Sequence, residues 1–309
     1  MRILTICALA LLLALPARAQ SPITIVVGFT AGGPSDMMAR LVAPELSQRL
    51  GAPVVVRNAT GAAGTIGAHE VARARPDGTT LLMTPVGPMV IQPHFRRDLP
   101  YTATDFTPIC QVADTPVVLM TTQNGPRNLA ALAAQAREGA GRLNYASTGP
   151  GTIPHIAAVA LARALGVEMT HISYRGNADA VAALLRGDVT IFADQPGTLR
   201  AHNLHAISTF AEARTTEFAQ VPTMVEQGHA LTYGIWSGLF GPANMAPDLV
   251  ARIDAACQAA MRSPSVVAGF ERLATPIVYR DAAAFRSFRD AEFRKFESVI
   301  REAGLRPGD

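Results

Sequence analysis

Three times in this chain a short apolar run ends in a loop of glycine, serine and threonine that leads straight into helix-like periodicity. The first unit runs from Ile23 to Val27, through GFTAGGPSD, into Met37, Met38, Leu41, Val42, Leu46 and Leu50 at helical spacing. The second runs from Leu143 to Ala146, through the loop Ser147 to His155, into a helix from about Thr152 to Leu165. The third joins His171 to Tyr174, through Arg175 to Asn177, to a helix-like Ala178 to Leu185. Other strand-like runs (Val54 to Arg57, Thr79 to Met83, Val117 to Thr121, Thr190 to Phe192, Ala206 to Phe210) alternate with helical stretches at Thr65 to Ala74 and Asn128 to Arg137. Strands broken by helices in this way predict an α/β protein with parallel sheets, in two compact lobes. The last third changes character, with a strand at Ile235 to Phe240 and helices near Pro247 to Met261, Ser265 to Leu273 and Ala282 to Ala303. Its stripe of Phe285, Phe288, Phe293, Phe296, Val299 and Ile300 reads as core packing.

The three loops are where chemistry is expected. In open α/β sheets such loops emerge at the carboxyl ends of strands, and free N–H groups at a helix start suit an anion. In the first, Phe29 to Asp36, Gly32 and Gly33 permit close backbone approach beside Thr30, Ala31 and Asp36, and Ser35 can cap the helix that Pro34 starts. In the second, Ser147, Thr148 and Thr152 supply hydroxyls, Gly149 and Gly151 supply exposed amides, and His155 falls near the helix start. In the third, Arg175 sets a guanidinium beside Gly176, and Asp194 follows a strand in IFADQ. Each residue also has a plain structural reading, as turn, cap or solvated charge. Together they predict a carboxylate or phosphate site.

Composition excludes several alternatives. With 49% hydrophobic and 17% charged residues among 309, the chain is far too apolar for disorder. Lys+Arg 27 against Asp+Glu 24 gives only +3, and Lys295 is the sole lysine, so no nucleic-acid footprint is expected. The histidines are scattered, and the close pair His202 and His205 lacks further ligands, which argues against zinc; no cofactor is expected. GxGxxG, a P-loop lysine and GxSxG are all absent, so a nucleotide enzyme or a serine hydrolase has no motif to stand on. A secreted hydrolase using Ser147 and His155 would need a third member that the local sequence does not offer.

The first twenty residues, MRILTICALALLLALPARAQ, carry Arg2, a mostly apolar stretch from Ile3 to Leu15, Pro16 and the small-residue pattern Ala17-Arg18-Ala19. This predicts a secretory signal peptide over residues 1–19, since 13 apolar residues fall short of the roughly 20 that span a bilayer. Without Arg2 and Arg18 the basic count drops to 25 against 24, leaving +1. Cys110 and Cys257 remain after cleavage. Cys257 lies on the apolar stripe Leu249, Val250, Ile253, Ala256, Cys257, Ala260 and Met261, which favours two buried free thiols; in an oxidising compartment a disulfide is the alternative.

The ordered motifs resemble a known family. ITIVVGFTAGGPSDMMARLVAPELSQRLGAPVVVRNATGAAGTIGAHEVARARPDGTTLL, DFTPICQVADTPVVL, LNYASTGPGTIPH, SYRGNADAVAALLRGDV, VPTMVEQG and WSGLFGPANMAPDLVARI together make the chain similar to tripartite tricarboxylate transporter solute receptors, the Bug or TctC family. The resemblance implies a two-lobed periplasmic binding protein of type II with a ligand cleft between the lobes. Lobe one would comprise residues 20–115 plus 235–309 and lobe two residues 116–234. It further implies a monomer in the periplasm that binds a small carboxylate without chemistry and presents it to permease subunits of a tripartite tricarboxylate transporter, or to a sensor protein. Carried over by position, Phe29 to Asp36 with Thr84 would form one jaw. Ser147 to Thr152, His155, Arg175, Gly176 and Asp194 would form the other. Two departures bear on the ligand: Thr84-Pro85-Val86 stands where the family commonly has small polar residues, and Pro196 to His205 looks shorter. Both point to an acid smaller or less polar than citrate.

Overall fold

A computed structural model describes residues 21–139, 143–303 and 305. The signal-peptide expectation therefore lies outside the described residues. The chain opens with β1 (Ile23–Val27), α1 (Pro34–Leu50), β2 (Val54–Asn58), α2 (Thr65–Ala72) and β3 (Thr80–Pro85). A π-helical turn at Gly87–Ile91 runs into the short α3 (Gln92–Phe95), and the long β4 (Phe106–Pro116) then leads out to a second sheet. That part holds β5 (Val118–Thr121), α4 (Leu129–Glu138), β6 (Asn144–Ser147), α5 (Ile153–Leu165), β7 (Thr170–Ser173) and α6 (Asn177–Arg186). It continues with β8 (Ile191–Asp194), α7 (Pro196–Ala201) and β9 (His205–Thr209). The chain returns along β10 (Gly234–Pro242) and ends with α8 (Pro247–Met261), α9 (Pro264–Arg272), β11 (Ile277–Arg280) and α10 (Ala282–Ala303).

The result is two lobes, each a sheet flanked by helices. The first sheet has the order β11-β4-β10-β3-β1-β2 and the second β7-β6-β8-β5-β9. The sheets are mixed, which corrects the expectation of parallel ones. β1 is parallel to β2 and β3, and β6 to β7 and β8. β10 runs antiparallel to β3 and β4, and β5 antiparallel to β8 and β9. The alternating pattern correctly marks the βα units. β10 and β5 lie at the crossings between the lobes, and β11 is antiparallel to β4 at the edge of the first sheet; strand direction there is set by pairing, which the alternating pattern does not reveal.

β4 and β10 pair from Gly234 opposite Pro116 to Pro242 opposite Phe106, so the outgoing and returning chains lie side by side. Just beyond, the Val117 N–H donates to the Tyr233 carbonyl at 3.0 Å and the Tyr233 N–H to the Phe210 carbonyl at 2.9 Å. The lobes also share one apolar core. Val26, Leu82 and Met89 belong to the same buried cluster as Leu119, Ile156 and Phe210. α10 closes its open side with Phe285 and Phe296 fully buried and Phe288, Phe293 and Val299 packed partly against it, as the stripe predicts. Trp236 on β10 sits edge-on to Phe285 with ring centroids 5.6 Å apart.

Cys110 on β4 and Cys257 on α8 form a disulfide. This corrects the preference for free thiols. The apolar stripe does bury Cys257, but the face it buries is the one packed on β4, and that placement brings the two sulfurs together. The bridge ties residues 147 apart in sequence. Removing it as Cys110→Ser/Cys257→Ser is expected to cost about 2–5 kcal/mol, the usual range for a native disulfide. Urea denaturation of the oxidised protein and the double variant checks this.

Candidate functional site

The three glycine loops come together in a cleft between the lobes. Its lining includes Phe29, Thr30, Gly33, Pro34 and Ser35 from the β1 end, with Pro85, Val86 and Gly87 after β3. From the other lobe come Thr148, Thr152, Ile153, Pro154, Gly176, Asn177, Asp194 and Gln195, with Ile235 at the floor. The empty space between these residues, open mouth included, is about 590 Å³. Its lining contains no Arg, Lys or His.

Positive character comes instead from backbone. α1, α5 and α6 start at Gly33, Thr152 and Gly176, all of which line the cleft, and none of the three N-caps makes a side-chain cap bond. A side-chain cap is made at α4, where Asn128 Oδ1 accepts the Ala131 N–H at 2.8 Å; the starts of α2, α7, α8 and α9 lack one as well, so what matters at α1, α5 and α6 is their placement at the cleft. First-turn N–H groups have no intrahelical acceptor, and each helix start carries about half a positive charge. Three such starts aimed at one cleft form an anion site without a cation.

Sequence reasoning misjudged parts of this site. Ser35 does not cap α1. Gly33 holds the N-cap position, Pro34 the first turn, and Ser35 sits inside the helix, 6% exposed, facing the cleft. Gly149 and Gly151 do not offer their amides to a ligand either. Gly149 N–H donates to Ser147 Oγ at 3.0 Å, Gly151 N–H to His155 Nδ1 at 3.1 Å, and Thr152 Oγ1 to the Gly149 carbonyl at 2.7 Å. A loop this tight satisfies its own donors, and the helix behind it is left to face the anion. Ser147 Oγ lies 2.6 Å from His171 Nε2, not beside His155, whose ring stacks on His171 at 4.3 Å between centroids. Ser147 is fully buried beneath the loop and braces it.

Asp36 likewise works behind its loop. Burial acts to raise its carboxyl, but hydrogen bonds from Arg40, the Gly32 N–H and Asn58 outweigh this and hold it below the usual range. Asn58 Nδ2 also donates to the Phe29 carbonyl at 3.0 Å, so one asparagine ties loop and helix together. Thr84 is fully buried behind Pro85 and does not line the cleft. Arg175 and Gly149 line an adjoining chamber with Gly61, Ala62, Ala63 and Gly64. Ala31 and Gly32 sit on a third, outer opening with Arg200, His202 and Arg272.

Gln195, Gly87 and Ile235 line the cleft but were not singled out from sequence; Asn177, Ile153 and Pro154 lay within the loops named and Pro85-Val86 was noted as a departure, but none of them was named as a ligand residue. Asn177 and Gln195 directly follow singled-out residues, at helix starts, which is the signal that could have found them. The lobes touch across the cleft. A Cβ on Gly176 would lie 2.6 Å from Thr30 Oγ1, and one on Gly197 2.5 Å from the Leu273 carbonyl. The buried Gln92 amide donates to the Pro150 and Gly151 carbonyls at 2.9 and 3.1 Å, joining the lobe-one helix α3 to the lobe-two loop.

A two-lobed α/β fold with helix starts gathered on an interlobe cleft and a double strand crossover defines a solute-binding protein of the periplasmic-receptor class. The chain belongs to the tripartite tricarboxylate transporter receptor family, whose model matches residues 38–305. It is 32% identical to protein BugT of Bordetella pertussis, over 94% of this chain and 91% of that protein. Among solved structures it is similar to MatC of Rhodopseudomonas palustris with bound malate (30% identity, TM-score 0.84, 90% and 98% of the two chains). It is also similar to R. palustris Rpa4515 with adipate (26% identity, TM-score 0.87, 93% and 99%). Among the described residues no helix is long and apolar enough to cross a membrane, and no three His, Cys, Asp or Glu side chains gather as a metal site.

Asp194 stands apart from the other acids because it is buried in the cleft wall. Burial pushes its carboxyl up to about 6, against hydrogen bonds from Thr198 and the Gln195 N–H that favour the charged form. A folded value above the unfolded 3.8 means that the native state holds the extra proton between them. Its contribution to stability is therefore present at low pH and lost as pH rises through about 6. Asp194→Asn should gain on the parent by ~1–3 kcal/mol between pH 4.5 and pH 7.5, measured by denaturant titration at both.

Proposed function

We propose that this protein is a periplasmic receptor that captures a small carboxylate in the interlobe cleft and delivers it to membrane permease subunits of a tripartite tricarboxylate-type transporter. The observation that carries the reading is the convergence of three helix starts without side-chain caps on one cation-free cleft. Export by the residue 1–19 leader and action as a monomer belong to the same proposal. So do lobe limits of 20–115 with 235–309 and 116–234. Thr30, Gly33, Ser35, Thr148, Thr152, Gly176 and Asp194 are the ligand-facing residues, joined by Asn177 and Gln195. Pro85, Val86, Ile153 and Ile235 supply apolar walls, which favours an acid less polar than citrate. Relatives that hold malate and adipate support the carboxylate class.

Closure about the β4–β10 pair would bury the ligand and create a new outer surface for the permease to recognise. The receptor has no chemical step in this scheme. Ser147 is engaged with His171 and the Gly149 N–H under the loop, which suits support of the site better than attack on an ester.

Native mass spectrometry of gently purified protein, followed by thermal-shift titration with malate, adipate, citrate and aromatic acids, tests the reading. A bound acid raises the melting temperature by mass action. Gly176→Val places a side chain against Thr30, so it should weaken binding at least about tenfold while the unliganded melting temperature holds. Consumption of an ester that Ser147→Ala abolishes, with no acid bound, would overturn the receptor in favour of a hydrolase.

A further inference from the structure

We propose that the cleft captures its carboxylate together with one proton, which resides on Asp194 in the loaded receptor. This rests on the carboxylate-receptor reading above and states how that site handles charge. Asp194 ends β8 in the cleft wall and is 4% exposed. Its Oδ2 accepts from the Asn177 side-chain amide and from Thr198 Oγ1, the latter at 2.7 Å. The Gln195 N–H adds a further bond. These neutral donors fix the side chain, so it does not swing away from an arriving anion.

The elements around Asp194 supply no counter-charge. β5 sets Val118 beside it in the sheet, and β6 carries Tyr145, which stacks on His171 of β7. α5 brings His155, whose Nδ1 accepts from the Gly151 N–H. On α6, Asp179 is exposed and Arg186 pairs with Asp188; on α7, Arg200 pairs with Glu217. Across the cleft Asp36 is held by Arg40. Arg175 faces the adjoining chamber, and His202 and Arg272 the outer opening. Among the described residues none of these cations forms an ion pair with Asp194, and no charged group shifts its carboxyl.

A ligand carboxylate would thus be the second anion in a cleft whose only positive character is partial. Two carboxylates confined together do not both ionise; one keeps a proton. The balance is simple: a proton from solvent joins the Asp194 carboxylate, and the new O–H donates to the bound anion. Burial, net of the Thr198 and Gln195 bonds, already brings the empty site to about 6, and a second anion beside it raises the carboxyl further. Affinity then tightens as pH falls, about tenfold per unit above pH 6, and levels off below.

Isothermal titration of the mature protein with adipate and with malate at pH 7.5, in phosphate and in Tris, reads the proton directly. These buffers differ in ionisation enthalpy. The expected result is uptake of about one proton per ligand and about tenfold weaker binding at pH 8 than at pH 7. Asp194→Asn should bind without uptake and with an affinity flat across this range. Should that variant fail to fold, the two-buffer measurement on the parent decides alone. Binding with no uptake overturns the proton and leaves the receptor standing. So does a preference for aspartate, bound through its ammonium group without uptake. No binding by any acid at pH 5.5 or 7.5 brings down the receptor reading and this inference together.

Discussion

Everything in this molecule hangs on the antiparallel pairing of β4 with β10. One strand carries the chain out of the first sheet and the other brings it back, in register from Phe106 opposite Pro242 to Pro116 opposite Gly234. Because the crossings lie side by side, the second lobe is attached along a narrow seam, and the loops at the carboxyl ends of β1 and β3 face those of β6 and β8. The shared apolar core, from Val26 to Phe210, joins the lobes and reaches the cleft wall at Val86, Ile153 and Ile235.

In the proposed receptor, backbone geometry would recognise the anion. A lysine or arginine at the site would attract anions broadly; three helix starts select by direction, because their N–H groups point along fixed axes. Such a site depends on the loops that position it. In the first, Asn58 and the Asp36–Arg40 pair hold the turn; in the second, Ser147, His155 and Gln92 do the same work. Of the polar side chains singled out as ligands, Asp36, Ser147 and His155 prove to be scaffold behind the loops, while Thr30, Ser35, Thr148, Thr152 and Asp194 line the cleft.

The βα units, the apolar face of α10 and the positions of the three loops were legible in the sequence, since each depends on local periodicity or on glycine placement. Antiparallel strands were not, because strand direction is decided by what a segment pairs with, and Phe106 to Pro116 reads the same in either orientation. The cleft's location was legible, but its lining only in part. Whether Gly149 offers its amide outward or to Ser147 depends on a hydrogen bond within one turn that no spacing reveals. The cysteines read as free thiols for a similar reason, as burial of Cys257 says nothing about what lies opposite.

That disulfide has a topological meaning. Cys110 precedes the outgoing crossing at Pro116, and Cys257 follows the returning one at Gly234. The second lobe is therefore an excursion from a covalently closed base. If it unravels, its two ends remain stapled at the mouth of the first lobe, and the search for its own fold begins from a ring instead of an open chain. The second lobe stays tethered at both ends to the first.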